Sequence, residues 1–295
     1  MAAQAEPTAK RSSSLTLRLV SAAILIPIVL AAAYFGFPWW NLLVIVFGGV
    51  MIWEWCRIAG RRRSEPGTLP RDAPNPWPET LVATALILLG LAALSFAGSW
   101  GLELPNLWLA LLLSILATMA AALPRHRLAA LWFGLGFVYV AIPCAAIIAL
   151  RSDPQIGLSQ ILWVVALVIA ADTGAYAAGR SIGGPKLAPR ISPNKTWAGL
   201  IGAVVSAAIV GAIAAALLDK PSFWPLAALS GAIAVVEQAG DLAESAFKRH
   251  FGVKDSGHII PGHGGALDRV DGLMAVAAAV AGINYAIGSS VLTWL

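Results

Sequence analysis

Residues 197–218 read WAGLIGAVVSAAIVGAIAAALL, a run without a single charge. A helix of about 20 apolar residues spans the roughly 30 Å hydrocarbon core of a bilayer, so this run reads as a membrane crossing. Eight comparable runs flank it, at about 15–36, 39–58, 80–97, 104–123, 129–150, 159–179, 223–247 and 270–292. The one at 80–97 is short and interrupted by Gly90, which leaves eight crossings as an alternative to nine. The 295 residues are 59% hydrophobic and 12% charged, about half the charge of a soluble domain. Mean hydropathy is +0.78. The expected fold is all-α, a polytopic integral membrane protein with about nine transmembrane helices.

Charge placement orients that bundle. With nine spans, all but Arg151 and Lys220 of the twenty lysines and arginines fall on or next to the side that holds the N-terminus. The positive-inside rule then makes the N-terminus cytoplasmic. The formal charge of +5 is spread over loops on one face, which suits topology and anionic lipid and does not point to nucleic acid. Cys56 and Cys144 both lie in apolar runs and read as small core residues. Ala31-Ala32-Ala33 imitates a signal-peptidase site, but the first apolar run is longer than a signal-peptide core, so it is read as a retained span.

Three regions are expected. Residues 1–14 are polar and Ser-rich and read as a disordered cytoplasmic tail. Residues 15–150 read as scaffold helices with few polar groups, joined through a cytoplasmic loop at 61–79 that carries Pro66, Pro70, Pro74, Pro76 and Pro78. In this half Trp53 and Trp55 suit an interfacial belt, and Glu54, at a span end, reads as an interfacial carboxylate. Residues 151–295 hold nearly all the polar groups that a membrane makes costly to keep, and read as the catalytic region.

The densest of these is SAFKRHFGVKDSGHIIPGHGGALDRVD, residues 245–271, with seven charged residues and three of the four histidines in 27 positions. Just before it, Asp241, Glu244, Ser245 and Lys248 fall at i, i+3, i+4 and i+7, on one helical face. Glu244 with Lys248 is read either as a functional pair or as an ordinary i,i+4 ion pair. Gly240 would let a ligand approach Asp241. A Gly-rich turn, Pro261 to Gly265, is able to aim N–H groups at an anion. Asp268 and Asp271, three residues apart on the next helical turn, offer the hard oxygens that Mg2+ takes. Upstream, Asp172 lies inside the sixth span, and the loop after it brings Lys186, Arg190, Ser192, Asn194, Lys195 and Thr196 among three prolines. Such cations and hydroxyls suit an oligophosphate, and no Walker A motif is present.

The stretch from Ser245 to Asp271 resembles the signature of the phosphatidate cytidylyltransferases (CDP-diacylglycerol synthases). The resemblance extends to Ala171–Tyr176, to Lys186-Leu187 with Ile191-Ser192-Pro193, to Lys195-Thr196-Trp197 and to Gly240-Asp241-Leu242, and so covers about residues 170–272. Two positions depart from the pattern: Ala198, where a glutamate is common, and Gly272, where a serine is common. The resemblance implies transfer of the cytidylyl group of CTP to phosphatidic acid, with Mg2+, a monovalent cation such as K+, and a homodimer; the charge placement puts the site on the cytoplasmic face, and the compact chain suggests a bacterial inner membrane. It implies catalytic roles for Asp172, Lys195, Asp241 and Asp268, and metal binding by Asp241, Asp268 and Asp271. Substrate contacts fall to Ser192, Asn194, Thr196, Glu244, Ser245, Lys248, Arg249, Lys254, Gly264, Gly265 and Arg269. His263 either donates to phosphate or pins the turn.

Three rival functions make different demands on the sequence. A CTP-dependent polyprenol or phytol kinase would use a similar fold and nucleotide but transfer the γ-phosphoryl group. A CDP-alcohol phosphatidyltransferase needs a spaced Asp-Gly…Ala-Arg…Asp…Asp motif that is absent. A cation-coupled transporter needs polar groups near the bilayer midplane, whereas these gather at one end.

Overall fold

The uncharged run from Trp197 to Leu217 forms a helix, and its start is built into the sequence. Thr196 stands in extended backbone (φ −126°, ψ 159°) and its hydroxyl accepts a hydrogen bond from Gly199 N at 3.0 Å. This is an N-cap, which satisfies one of the donors a helix leaves open. The structure is a computed structural model that describes residues 8–60, 78–96, 112–120, 127–257, 259 and 264–294. Its helices are α1 (Thr8–Phe35), α2 (Trp39–Ala59), α3 (Pro78–Phe96), α4 (residues 112–120), α5 (Arg127–Ser152), α6 (Gly157–Ser181), α7 (Trp197–Leu217), α8 (Trp224–His250), α9 (Leu267–Ile287) and α10 (Val291–Trp294). Among the described residues six helices are long and apolar enough to cross a membrane: α2, α5, α6, α7, α8 and α9. The apolar parts of α1 (Val20–Phe35) and α3 (Thr80–Ala93) are shorter. The chain is an all-α integral membrane protein.

Helix ends differ from expectation where polar groups intervene. α1 begins at Thr8, inside the stretch expected to be disordered. α8 runs on to His250 because Lys248, Arg249 and His250 suit the negative end of a helix dipole. The last run divides: α9 stops at Ile287, Gly288 (φ 70°) turns the chain, and α10 is a separate turn. Of the expected fourth span only 112–120 lies within the described residues, and most of the Pro-rich loop, 61–77, lies outside them.

The loop between α6 and α7 holds structure that was not expected. Gly183 and Gly184 adopt positive φ and reverse the chain. β1 (Lys186–Ala188) and β2 (Ser192–Thr196) then pair antiparallel, with Lys186 opposite Thr196 and Ala188 opposite Ser192. Behind this hairpin α6 and α7 pack closely. A Cβ on Gly202 would lie 2.5 Å from the Gly174 carbonyl oxygen, and one on Gly174 equally close to that of Gly202, so only small residues serve at this crossing.

The two cations that break the charge rule both cap helix ends. Arg151 donates to the carbonyls of Ala33 (2.5 Å) and Tyr34 (3.0 Å) at the end of α1, and Lys220 donates to Thr293 O at 3.3 Å on α10. Terminal carbonyls have no helical partner, so these side chains supply donors the fold needs.

Candidate active site

The C-terminal end of α8, the N-terminal end of α9, the hairpin and the end of α2 meet in one place. On α8, Asp241 accepts from Ser245 Oγ at 3.3 Å, and Glu244 pairs with Lys248 at 2.5 Å, so the face expected from the sequence is formed. Glu244 is fully buried, and its Oε1 receives no hydrogen bond among the described residues. The hairpin delivers Lys195 to this face. Its ammonium lies 2.6 Å from Asp241 Oδ2 and 2.8 Å from Gln238 Oε1, one turn apart on α8.

Asp268 ties the second half of the site. Its Oδ1 takes Lys248 Nζ at 2.8 Å, and its Oδ2 takes Gly265 N at 3.0 Å. Ser256 N donates to both oxygens, at 3.1 and 2.9 Å. A carboxylate offers about four lone-pair sites, and all are engaged here. Lys248 thereby joins α8 to α9 by bridging Glu244 and Asp268.

Glu54 overturns its reading as an interfacial carboxylate. It is 1% exposed, at the end of α2, and accepts from Ser256 Oγ (3.1 Å), Ala266 N (3.1 Å) and Leu267 N (2.9 Å). A side chain more than two hundred residues away in sequence thus caps α9. Burying a carboxylate is costly unless donors meet it, and here three do. Trp55 beside it is not at an interface either. It is 2% exposed, donates to Trp132 O at 2.8 Å and stacks on Phe247, with ring centroids 3.6 Å apart. The first half is therefore more than scaffold. Tyr139 of α5 also reaches the site: its hydroxyl has no hydrogen-bond partner among the described residues, and the carboxylates acting on it are Glu244, Asp271 and Asp241.

Other expected residues take the following places. Asp172 on α6 lies within reach of Asp241, Lys195 and Glu237. Asp271 lies within the electrostatic reach of Asp241, Lys248 and Asp172. Thr196 is spent on the α7 cap. Arg249 does not point into the acidic cluster; it donates to Ile191 O at 3.4 Å and Val253 O at 3.3 Å, tying the hairpin turn to the end of α8. Ser192 begins β2, Asn194 lies exposed on it, and Lys254 and Arg269 are exposed on the rim. Gly264 and Gly265 form the approach to Asp268, and His263 lies outside the described residues. Gly240 packs against α9: a Cβ there would lie 2.5 Å from that of Ala275. Glu237, Gln238, Ser256, Glu54 and Tyr139 were not singled out as site residues. Glu237 and Glu54 carried a sequence signal, an acid within an apolar span, and Glu54 was read as interfacial because it lies near a span end.

Chemically, this is a cluster of carboxylates with two ammonium groups at one end of a membrane bundle, an arrangement suited to phosphate esters and hard cations. It defines a membrane-embedded class of site for charged phosphate compounds. Residues 16–286 match the Cytidylyltransferase family. The chain is 36% identical over 267 residues to the phosphatidate cytidylyltransferase of Brucella suis biovar 1 (strain 1330), covering 90% of this chain and 92% of that one. It is 34% identical over 283 residues to the protein of the same name from Haemophilus influenzae (88% and 94%), and 40% identical over 205 residues to that of Staphylococcus haemolyticus (68% and 76%). The protein belongs to the cytidylyltransferase family.

Proposed function

We propose that this protein transfers the cytidylyl group of CTP to phosphatidic acid, releasing pyrophosphate and forming CDP-diacylglycerol for phospholipid synthesis. The observation that carries this is the pairing of Lys195 with Asp241 and of Lys248 with Asp268 across the hairpin, α8 and α9. Relatives named phosphatidate cytidylyltransferase, matched over 92% and 94% of their own length, support the substrates. An oxygen of the phosphatidate phosphate attacks the α-phosphorus of CTP, and the bond from that phosphorus to the β-phosphate bridging oxygen breaks. The nucleophile is already anionic, so the rate comes from positioning and from neutralising charge. Incoming phosphates compete with the carboxylates for Lys195 and Lys248.

The donor set fits Mg2+ in kind, since Asp241 and Asp271 offer hard oxygens within each other's field. Asp268 would join them once Lys248 turns to phosphate. Bound there, Mg2+ would offset charge on CTP and on pyrophosphate. Among the described residues no three metal-binding side chains stand preassembled. A monovalent cation belongs to the same proposal, without assigned residues, as does a homodimer. We also place nine spans in a bacterial inner membrane with the site facing the cytoplasm. In support, the exceptions to the charge rule, Arg151 and Lys220, are both helix caps.

The test supplies membranes with phosphatidate and CTP labelled at either the α- or the γ-phosphate. Label should enter chloroform-extractable lipid from the α position. Lipid label from the γ position alone would identify a kinase and end this reading. Asp241→Asn and Asp268→Asn should each lose at least about 100-fold in kcat; full activity in both would refute the metal assignment.

A further inference from the structure

Lys195 is the one ammonium that the hairpin contributes to α8, and its position rests on Gln238 as well as Asp241. A carboxamide has two faces, and only its oxygen can accept from a lysine. At Gln238 that orientation is set by the residue before it. Gln238 Nε2 donates to Glu237 Oε2 at 2.7 Å, which leaves Gln238 Oε1 facing Lys195 at 2.8 Å. Both side chains are buried, at 1% and 4% exposure, so water does not substitute for either contact. A reversed amide would set N–H against the ammonium and leave Glu237 without its donor.

Glu237 itself fits only because of Gly272. A Cβ at Gly272 on α9 would lie 2.7 Å from Glu237 Oε1 and 3.0 Å from its Cγ. This position is one of the two where the chain departs from the sequence signature it otherwise follows. On its remaining side Glu237 meets Asp172. The buried acid and the missing side chain opposite it form a matched pair.

We propose that Glu237 is a positioning residue of this active site, fixing the amide of Gln238 so that Lys195 is held against Asp241, and that Gly272 is the space it requires. The inference rests on the cytidylyltransferase reading for its kinetic readout. Glu237 is buried and acts through Gln238.

The experiment compares wild type, Glu237→Met, Glu237→Gln, Gln238→Met and the double variant Glu237→Met/Gln238→Met, purified in detergent. Methionine fills the volume without a strong acceptor, whereas glutamine keeps an oxygen for Gln238 and gives an N–H to Asp172. Glu237→Met should lower kcat/KM for CTP at least tenfold, and Glu237→Gln should recover most of that loss. The double variant should fall no further than Gln238→Met alone, because both act on Lys195. Independently of turnover, the rise in thermal midpoint on adding Mg2+ and CTP should shrink in Glu237→Met and return in Glu237→Gln. Gly272→Ser should lower the thermal midpoint of wild type but not of Glu237→Ala. Multiplying losses in the double variant, or a Glu237→Met enzyme with wild-type kcat/KM, would overturn the inference. A wild type inactive with CTP and phosphatidate would instead overturn the function, and the Gly272 comparison of midpoints would still judge the pair.

Discussion

Replacing Glu54 with alanine separates the two readings of the first half of the chain. Three donors lose their acceptor: the Ser256 hydroxyl and the backbone N–H groups of Ala266 and Leu267, at 2.9 to 3.1 Å. Hydrogen bonds to a charged group are worth roughly 1.5–3 kcal/mol each, so the gross loss is about 4.5–9 kcal/mol. Removing the carboxylate also ends the cost of burying it, and the Ser256 hydroxyl is free to rotate to another acceptor. The expected net loss is therefore about 3–4 kcal/mol. Glu54→Gln should cost about 2 kcal/mol, because its amide nitrogen turns a donor toward donors. An interfacial carboxylate would instead cost within about 0.5 kcal/mol either way. Unfolding in mild detergent by denaturant, followed through tryptophan fluorescence, measures the difference. Activity should fall as well, since Ser256 N and Gly265 N, which hold Asp268, flank the same knot. Glu54→Ala protein that unfolds within 0.5 kcal/mol of wild type, with unchanged kcat, would refute the capping role.

Three further outcomes follow from the same contacts. Gly265→Ala would push a methyl into Ser256 Oγ and to 2.8 Å from both Glu54 oxygens; it should destabilise by about 2 kcal/mol or more and abolish turnover, read by the same unfolding assay and by lipid labelling. Tyr139→Phe removes a buried hydroxyl that has no partner among the described residues, so stability of the ligand-free protein should hold or rise by about 1 kcal/mol; a clear loss would show a partner present without substrate. Thr196→Val keeps the shape but loses the cap on Gly199 N, and should cost about 1 kcal/mol, with Thr196→Ser close to wild type.

What the sequence made legible follows the range of the interaction. Apolar runs are local, so the spans around α5 to α8 were found within a few residues of their ends. The i,i+4 geometry is local too, and Ser245 with Asp241 and Glu244 with Lys248 formed on α8 as their spacing required. Asp268 was legible as a residue but not as a knot. Its donors on Ser256 and Gly265 are backbone groups, which carry no residue-type signal. The hairpin of Lys186 to Thr196 was hidden for a related reason. Three prolines argue against a helix, and strands this short carry no alternation to detect.

Glu54 shows where pattern reading stops and why. Its acid sits among aromatic and apolar residues at the end of a span, the setting of an ordinary interfacial carboxylate. What distinguishes it is the chain end it meets, the first turn of α9, a contact that only the assembled bundle creates. The same holds for Gly272, which alone reads as a departure from a signature and nothing more. Placed 2.7 Å, from a would-be Cβ, against Glu237 Oε1, it becomes the complement of a buried acid on another helix. Both cases follow from packing density. In an interior with no spare volume, an added carboxylate must be matched by donors, by an absent side chain, or by both. The residues that make the match need not share a motif, because the constraint acts across space and not along the chain.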